Sequence, residues 1–229
     1  MLPSQTVENY LKTIYLAQTD MTSEQELVPM GQLASALGVV PGTATTMVKA
    51  LAESGLVHYE PYMGVRLTPA GERLASLVSR RHRLIELFLV KVLGMSWAEV
   101  HDEAEQLEHA VSERLIDRID EMLGRPAVDP HGDPIPTPEG RIARPDDLDL
   151  LTAPIQTTLQ VSRVLDQDPV FLRFVEERDL VPGRTVVIET RDEASDAVQL
   201  SFDTGRSVTI GSRAAAKVRV RAVSRIPKK

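Results

Sequence analysis

WAEVHDEAEQLEHAVSERLIDR, residues 97–118, contains His101, Glu105, Glu108 and His109, each able to give a lone pair to a cation. Read as one continuous helix, spacings of three and four residues stack these groups on a single face. Leu107, Val111, Leu115, Ile119 and Met122 then form a neighbouring apolar face, so the helix packs while presenting its ligands. The plainer reading is a solvated face that happens to carry Glu and His, since charged helix surfaces are common. The flanking sequence decides between the two.

Upstream, residues 70–94 read as a long helix in which His82 and Glu86 lie four apart on one face. Beside the first stretch, this helix lets His82, Glu86 and His101 close one cation site, while Glu105, Glu108 and His109 serve another. Leu84, Ile85, Phe88 and Leu89 suit a helical core that continues into a dimer interface. The chain has no cysteine, so any metal must be held by oxygen and nitrogen, and disulfides are excluded.

Charge is uneven. Residues 1–75 carry four basic and seven acidic residues (−3), residues 76–149 nine and sixteen (−7), and residues 150–229 thirteen and ten (+3). The ligand-rich middle is thus the most acidic part, which a cation would relieve and which nucleic acid would avoid. No apolar run approaches the roughly 18 residues of a membrane span, and the first residues lack the pattern of a signal peptide. A cytoplasmic protein with no membrane partner is the expectation.

Toward the amino terminus, Ser4 can cap a helix running to about Gln18, with Val7, Leu11, Ile14 and Tyr15 as its apolar stripe. A polar break, Asp20–Glu26, precedes a short helix over 30–37. Gly38 turns the chain, and Pro41 opens a helix over 41–54 that Gly55 ends. Ala44, Met47, Val48 and Leu51 face inward on it; Pro41, Gly42, Thr43, Thr45, Thr46 and Lys49 belong to its other side. Two short helices joined through Gly, the second small and hydroxylated, fit a helix-turn-helix that reaches base edges and phosphates. Strand-like segments 56–60 and 65–68, joined through Pro-Tyr-Met-Gly, add a wing carrying Arg66. A net −3 is poor for a duplex binder, so a local basic face of Lys12, Lys49 and Arg66, doubled in a homodimer, is expected to supply the phosphate contacts.

Taken together, these residues resemble the diphtheria-toxin-repressor family of metal-dependent transcriptional regulators, in particular its manganese-responsive branch. The matching stretches are ENYLKTIY (8–15), VVPGTATTMVKAL (39–51), YEPYMGVRLT (59–68), RRHRLIE (80–86), VHDEAEQLEH (100–109) and GDPIP (132–136). The resemblance implies a mainly α protein with a β-rich C-terminal domain: a winged helix-turn-helix (1–75), a helical metal-binding and dimerisation domain (76–140) and a small SH3-like barrel (155–229). It places a principal metal site on Asn9, Glu105, Glu108 and His109, and a second on His82, Glu86 and His101. Glu105 stands where iron-responsive members carry cysteine; a carboxylate there favours Mn²⁺, with Fe²⁺ as the alternative. Asn9, at a position usually Asp or Met, offers an uncharged amide oxygen and implies a weaker site. Longer members donate two further ligands from the last domain; the corresponding positions here are Arg163, which cannot ligate, and Asp166.

Seven prolines between 126 and 154 mark an extended linker, with 141–154 as its core and His131 and Asp133 as linker residues. Beyond it, segments 158–164, 185–189, 198–202, 207–210 and 218–223 read as five short strands, with a helix over 171–178. The expected function is a homodimeric regulator that grips operator DNA when metal is bound. Two other classes fit parts of the chain. A winged-helix regulator of an organic ligand needs no such ligand spacing, and a di-metal carboxylate enzyme needs no winged helix.

Overall fold

The computed structural model describes residues 4–19, 21 and 26–223. In chain order its elements are α1 (Gln5–Thr19), α2 (Met30–Ala36), α3 (Pro41–Glu53), β1 (Val57–Glu60), β2 (Gly64–Leu67), α4 (Pro69–Lys91), α5 (Val100–Leu107), α6 (Glu113–Met122), β3 (Leu148–Asp149), β4 (Thr158–Val164), α7 (Pro169–Glu177), β5 (Thr185–Asp192), β6 (Ala197–Phe202), β7 (Ser207–Gly211), α8 (Ser212–Ala215) and β8 (Val218–Ala222). The chain divides into two compact units. One takes in residues up to His82 with 108–111 and 135–142; the other takes in 83–107, 112–134 and the remainder from 143.

The first unit is a winged helix. Leu11, Ile14, Leu33, Val48, Leu51, Val28 and Val65 form its dry core, which the helical stripes of α1 and α3 were expected to supply. Gly38 holds the left-handed φ of +63° that turns α2 into α3, a conformation nearly closed to side chains bearing Cβ. Pro41 is the first residue of α3, where its missing N–H costs nothing. β1 and β2 pair antiparallel from Val57↔Leu67 to Glu60↔Gly64, and Val28 bridges to Val65 beside them. Of the polar break expected at Asp20–Glu26, residues 20 and 22–25 lie outside the described residues.

The second unit contains an antiparallel sheet of order β3-β8-β4-β5-β6-β7. Leu159, Val161, Val186, Ile188, Val198, Leu200 and Val220 alternate inward along its strands, and Leu172 and Val175 of α7 join the same core. All five expected strands are present, and a short sixth, β3, pairs with β8 at Leu148↔Val220.

Two expectations need correction. Residues 97–118 are not one helix: α5 ends at Leu107, and Ser112 starts α6 as an N-cap whose side chain accepts from the Leu115 amide. The break resets the helical phase. Ile116 and Ile119 are buried on α6, whereas Leu107, Leu115 and Met122 are exposed. Nor is 124–154 a bare linker. Asp129, His131, Ile135, Leu150 and Ala153 are buried within it. Gly132 there adopts φ +92°, and a Cβ on it would lie 2.0 Å from the Ser162 carbonyl oxygen, so backbone packs where extended chain was expected.

Candidate metal centre and nucleic-acid surface

In the first unit, α1 faces the middle of α4 and the turn at 108–111 through a buried polar cage. Glu108 is wholly buried, and its carboxylate meets three groups. Lys12 Nζ donates to both oxygens at 2.9 Å, His82 Nδ1 lies 2.7 Å from Oε2, and His109 Nε2 lies 3.2 Å from Oε1. A separation of 2.7 Å between two acceptors requires a proton, so His82 carries it on Nδ1 and donates. Burial drives the Glu108 carboxyl upward, but the His82 hydrogen bond and the Lys12 charge outweigh that, and its pKa ends below the usual carboxylate range.

Glu8, one residue from the expected ligand Asn9, is the second buried carboxylate. It accepts from Arg81 Nη2 at 2.7 Å and from His109 Nδ1 at 2.6 Å. The latter bond places a proton on His109 Nδ1 and turns Nε2 inward. There Nε2 is buried, makes no hydrogen bond, and looks at Glu108 Oε1. Asn9 Oδ1 is likewise buried without a hydrogen-bond partner. Glu108 Oε1 and His109 Nε2 thus face each other at 3.2 Å in a buried space, two donor atoms that suit a hard cation. The carboxylate–imidazole pair Glu8–His109 is the arrangement that orients a metal-binding histidine. Sequence reading missed Glu8; its place four residues before Lys12 on α1 was the available signal.

Lys12 had been expected on a DNA-facing basic surface. It is buried at 7% exposure, and α1 turns it into the cage instead. Lys49, Pro41, Gly42, Thr43 and Thr46 of α3 are exposed, and Thr45 and Arg66 are partly so. The hydroxyls of Thr45 and Thr46 donate back to the Pro41 and Gly42 carbonyls at 2.9 and 3.0 Å. In that state they offer lone pairs to a base amino group.

The second unit holds another cluster. Glu86 of α4 meets His101 Nδ1 of α5 at 3.4 Å, and His101 Nε2 lies 3.8 Å from Glu105 Oε1. On the buried side, His131 Nδ1 lies 3.8 Å from Glu86 Oε2 and 4.0 Å from Asp129 Oδ1. His131 stacks on Trp97 with ring centroids 5.4 Å apart, and its Nε2–H donates to the Trp97 carbonyl at 2.9 Å. That bond fixes the tautomer and leaves Nδ1 as a buried lone pair with no hydrogen-bond partner. Asp129 Oδ1 accepts from the amides of His131 and Asp133, while Oδ2 makes no hydrogen bond. Burial, reinforced by the Asp133 and Glu86 charges, pushes the Asp129 carboxyl well above the usual carboxylate range, against the pull of Arg83. Glu86, Asp129 and His131 bring ligand atoms within 4.8 Å of one another. His131 and Asp129 are therefore core groups with ligand chemistry, not linker residues. Asp133 instead pairs with Arg163 at 3.2 Å, and Arg163 also grips Asp147. Asp166 pairs with Lys217 and, among the described residues, joins no cluster of three ligating groups.

The chain matches known proteins over most of its length. Residues 3–65 match the N-terminal DNA binding domain of iron dependent repressors, residues 68–137 their metal binding and dimerisation domain, and residues 148–222 the FeoA domain. An uncharacterised HTH-type transcriptional regulator of Methanocaldococcus jannaschii is 36% identical over 116 residues, 51% of this chain and 90% of its own. The HTH-type transcriptional regulator MntR of Lysinibacillus sphaericus is 33% identical over 122 residues, 53% of this chain and 84% of its own. Among solved structures, a manganese-dependent transcriptional repressor in complex with manganese superposes with a TM-score of 0.87 at 40% identity, covering 95% of this chain and all of that one.

Proposed function

The chain belongs to the iron-dependent repressor family, and we propose that within it Mn²⁺, with Fe²⁺ as the alternative, is the ion whose binding licenses the grip on operator DNA. It is a metal-responsive, DNA-binding transcriptional regulator that acts as a homodimer. No helix among the described residues is long and apolar enough to cross a membrane, and we place the protein in the cytoplasm, where its DNA is.

The observation that carries the metal reading is the buried His109 Nε2, which makes no hydrogen bond and lies 3.2 Å from Glu108 Oε1. Glu108 and His109 are the ligands we assign from this cage, with Asn9 and Glu105 added from their sequence positions. A bound divalent ion supplies positive charge shared among these donors. Glu8 keeps the His109 ring in its ligating tautomer, and Asn9 links α1, part of the winged-helix core, to the 108–111 turn. A second cation site is assigned to Glu86, His101, Asp129 and His131, with His82 added from its place four residues before Glu86. The exposed Val92, Leu93, Leu107, Leu115 and Met122 are the apolar surface we assign to the dimer.

On the DNA side, two copies of α3 reach adjacent major grooves about 34 Å apart, with Lys49 and Arg66 on phosphates and the α3 hydroxyls on base edges. A complete switch from 1% to 99% occupancy needs about 5.5 kcal/mol of differential metal binding, whereas coupling is typically about 1–3 kcal/mol. Graded control is expected. Fluorescence anisotropy of labelled promoter DNA in Mn²⁺ and in chelator tests this reading, with tighter binding in metal for the wild type and no metal response in His109→Ala. Equal binding in chelator, or a His109→Ala protein that still responds, would refute it.

A further inference from the structure

The metal cage already contains a cation. Lys12 reaches in from α1 on its four-carbon stem, and its ammonium spans both oxygens of Glu108 at 2.9 Å, with His82 Nδ1 at 3.3 Å. Lys12 and Glu108 are 7% and 0% exposed, so water screens this pair little. The rest of the cage is balanced as well, because Arg81 sits on Glu8. Two buried carboxylates therefore face two buried fixed cations before any metal arrives.

We propose that the Lys12 ammonium is a tethered stand-in cation: it keeps the cage neutral and closed in the metal-free protein, and it sets the metal concentration at which the regulator responds. The proposal rests on the metal reading of Asn9, Glu108 and His109. Its logic is competitive. Glu108 cannot stay ionised at 0% exposure without a partner, since a lone buried carboxylate is strongly disfavoured. Lys12 supplies that partner intramolecularly and thereby removes most of the electrostatic driving force that would draw in a divalent ion. For the ion to bind Glu108, the ammonium must give up at least one of its two contacts with that carboxylate. A flexible alkyl stem allows that retreat, where the planar fork of a buried arginine would hold more rigidly. Low apparent affinity is then a built-in property, separate from the uncharged Asn9.

Lys12→Met removes the charge and keeps the stem's bulk. Mn²⁺ titration of the full chain, read by the electron paramagnetic resonance signal of the free ion, should show that variant binding at least about tenfold more tightly than the wild type, the change that 1.4 kcal/mol of binding free energy produces. Lys12→Arg, which retains the charge and grips the carboxylate more rigidly, should bind Mn²⁺ no more tightly than the wild type. Metal-free Lys12→Met should melt at a lower temperature, and saturating Mn²⁺ should restore it with a larger shift than the wild type shows. If Lys12→Met does not fold without metal, Lys12→Gln is titrated by thermal shift instead, and a larger Mn²⁺-induced rise than in the wild type is required of it. Equal or weaker binding in the neutral variants, while His109→Ala abolishes wild-type binding, overturns the proposal and leaves the metal reading standing. Absence of His109-dependent Mn²⁺ binding in the wild type removes both.

Discussion

Glu8→Gln is the most informative single change, because it alters the orientation of His109, a proposed ligand, without replacing any proposed ligand. Glu8 accepts two hydrogen bonds, from Arg81 at 2.7 Å and from His109 Nδ1–H at 2.6 Å. A glutamine of the same length has one acceptor oxygen and one amino group, so one of these donors must face another donor. If the ring loses its partner, His109 no longer holds its proton on Nδ1, and Nε2 is no longer preset as a lone pair. Loss of such an orienting carboxylate typically weakens metal binding 10- to 100-fold, or about 1.4–2.7 kcal/mol. At saturating Mn²⁺ the metal-induced stabilisation should shrink by that same amount. The metal-free protein should also lose stability, with about 3–5 kcal/mol as the ceiling for breaking one side of a buried ion pair. Isothermal titration with Mn²⁺, paired with melting curves with and without metal, separates the two effects. A variant that is less stable yet binds Mn²⁺ with unchanged affinity would show that Glu8 only supports the fold, and the tautomer argument would fall.

Three further outcomes follow from the same geometry. Glu105→Cys should shift relative affinity from Mn²⁺ toward Fe²⁺ or Zn²⁺, since a thiolate is the softer ligand; competition titrations with unchanged ratios would remove Glu105 from the selectivity argument. Lys49→Ala should weaken DNA binding across sequences and lower the slope of log K against log salt by about 0.9, and an identical slope would exclude a phosphate contact. Asp129 has a folded-state pKa raised above its unfolded value of 3.8, so the stability of the metal-free protein falls as pH rises above that value toward the folded pKa. Asp129→Asn should therefore melt higher than the wild type in chelator, by a margin that grows as pH rises above 3.8 toward the folded pKa, and a margin independent of pH would contradict the buried-acid assignment.

Sequence alone settled whatever depends on neighbours along the chain. Helical stripes, Gly38 and Pro41 define the helix-turn-helix, alternation marks the strands from Thr158 onward, and the absence of cysteine limits a metal to oxygen and nitrogen. The break after Leu107 was partly legible, since Ser112 is a good N-cap, but periodicity through Leu107, Val111 and Leu115 masked it. Only the tertiary structure decided which polar groups share a dry space. Glu8 and His109 are 101 residues apart, Lys12 and Glu108 are 96, and His131 and Trp97 are 34. No local pattern encodes those meetings. Whether a lysine lies on a DNA face or inside a carboxylate cage depends on what packs over it, and burial, which sets the strength of every charge in the cage, is a property of the folded chain.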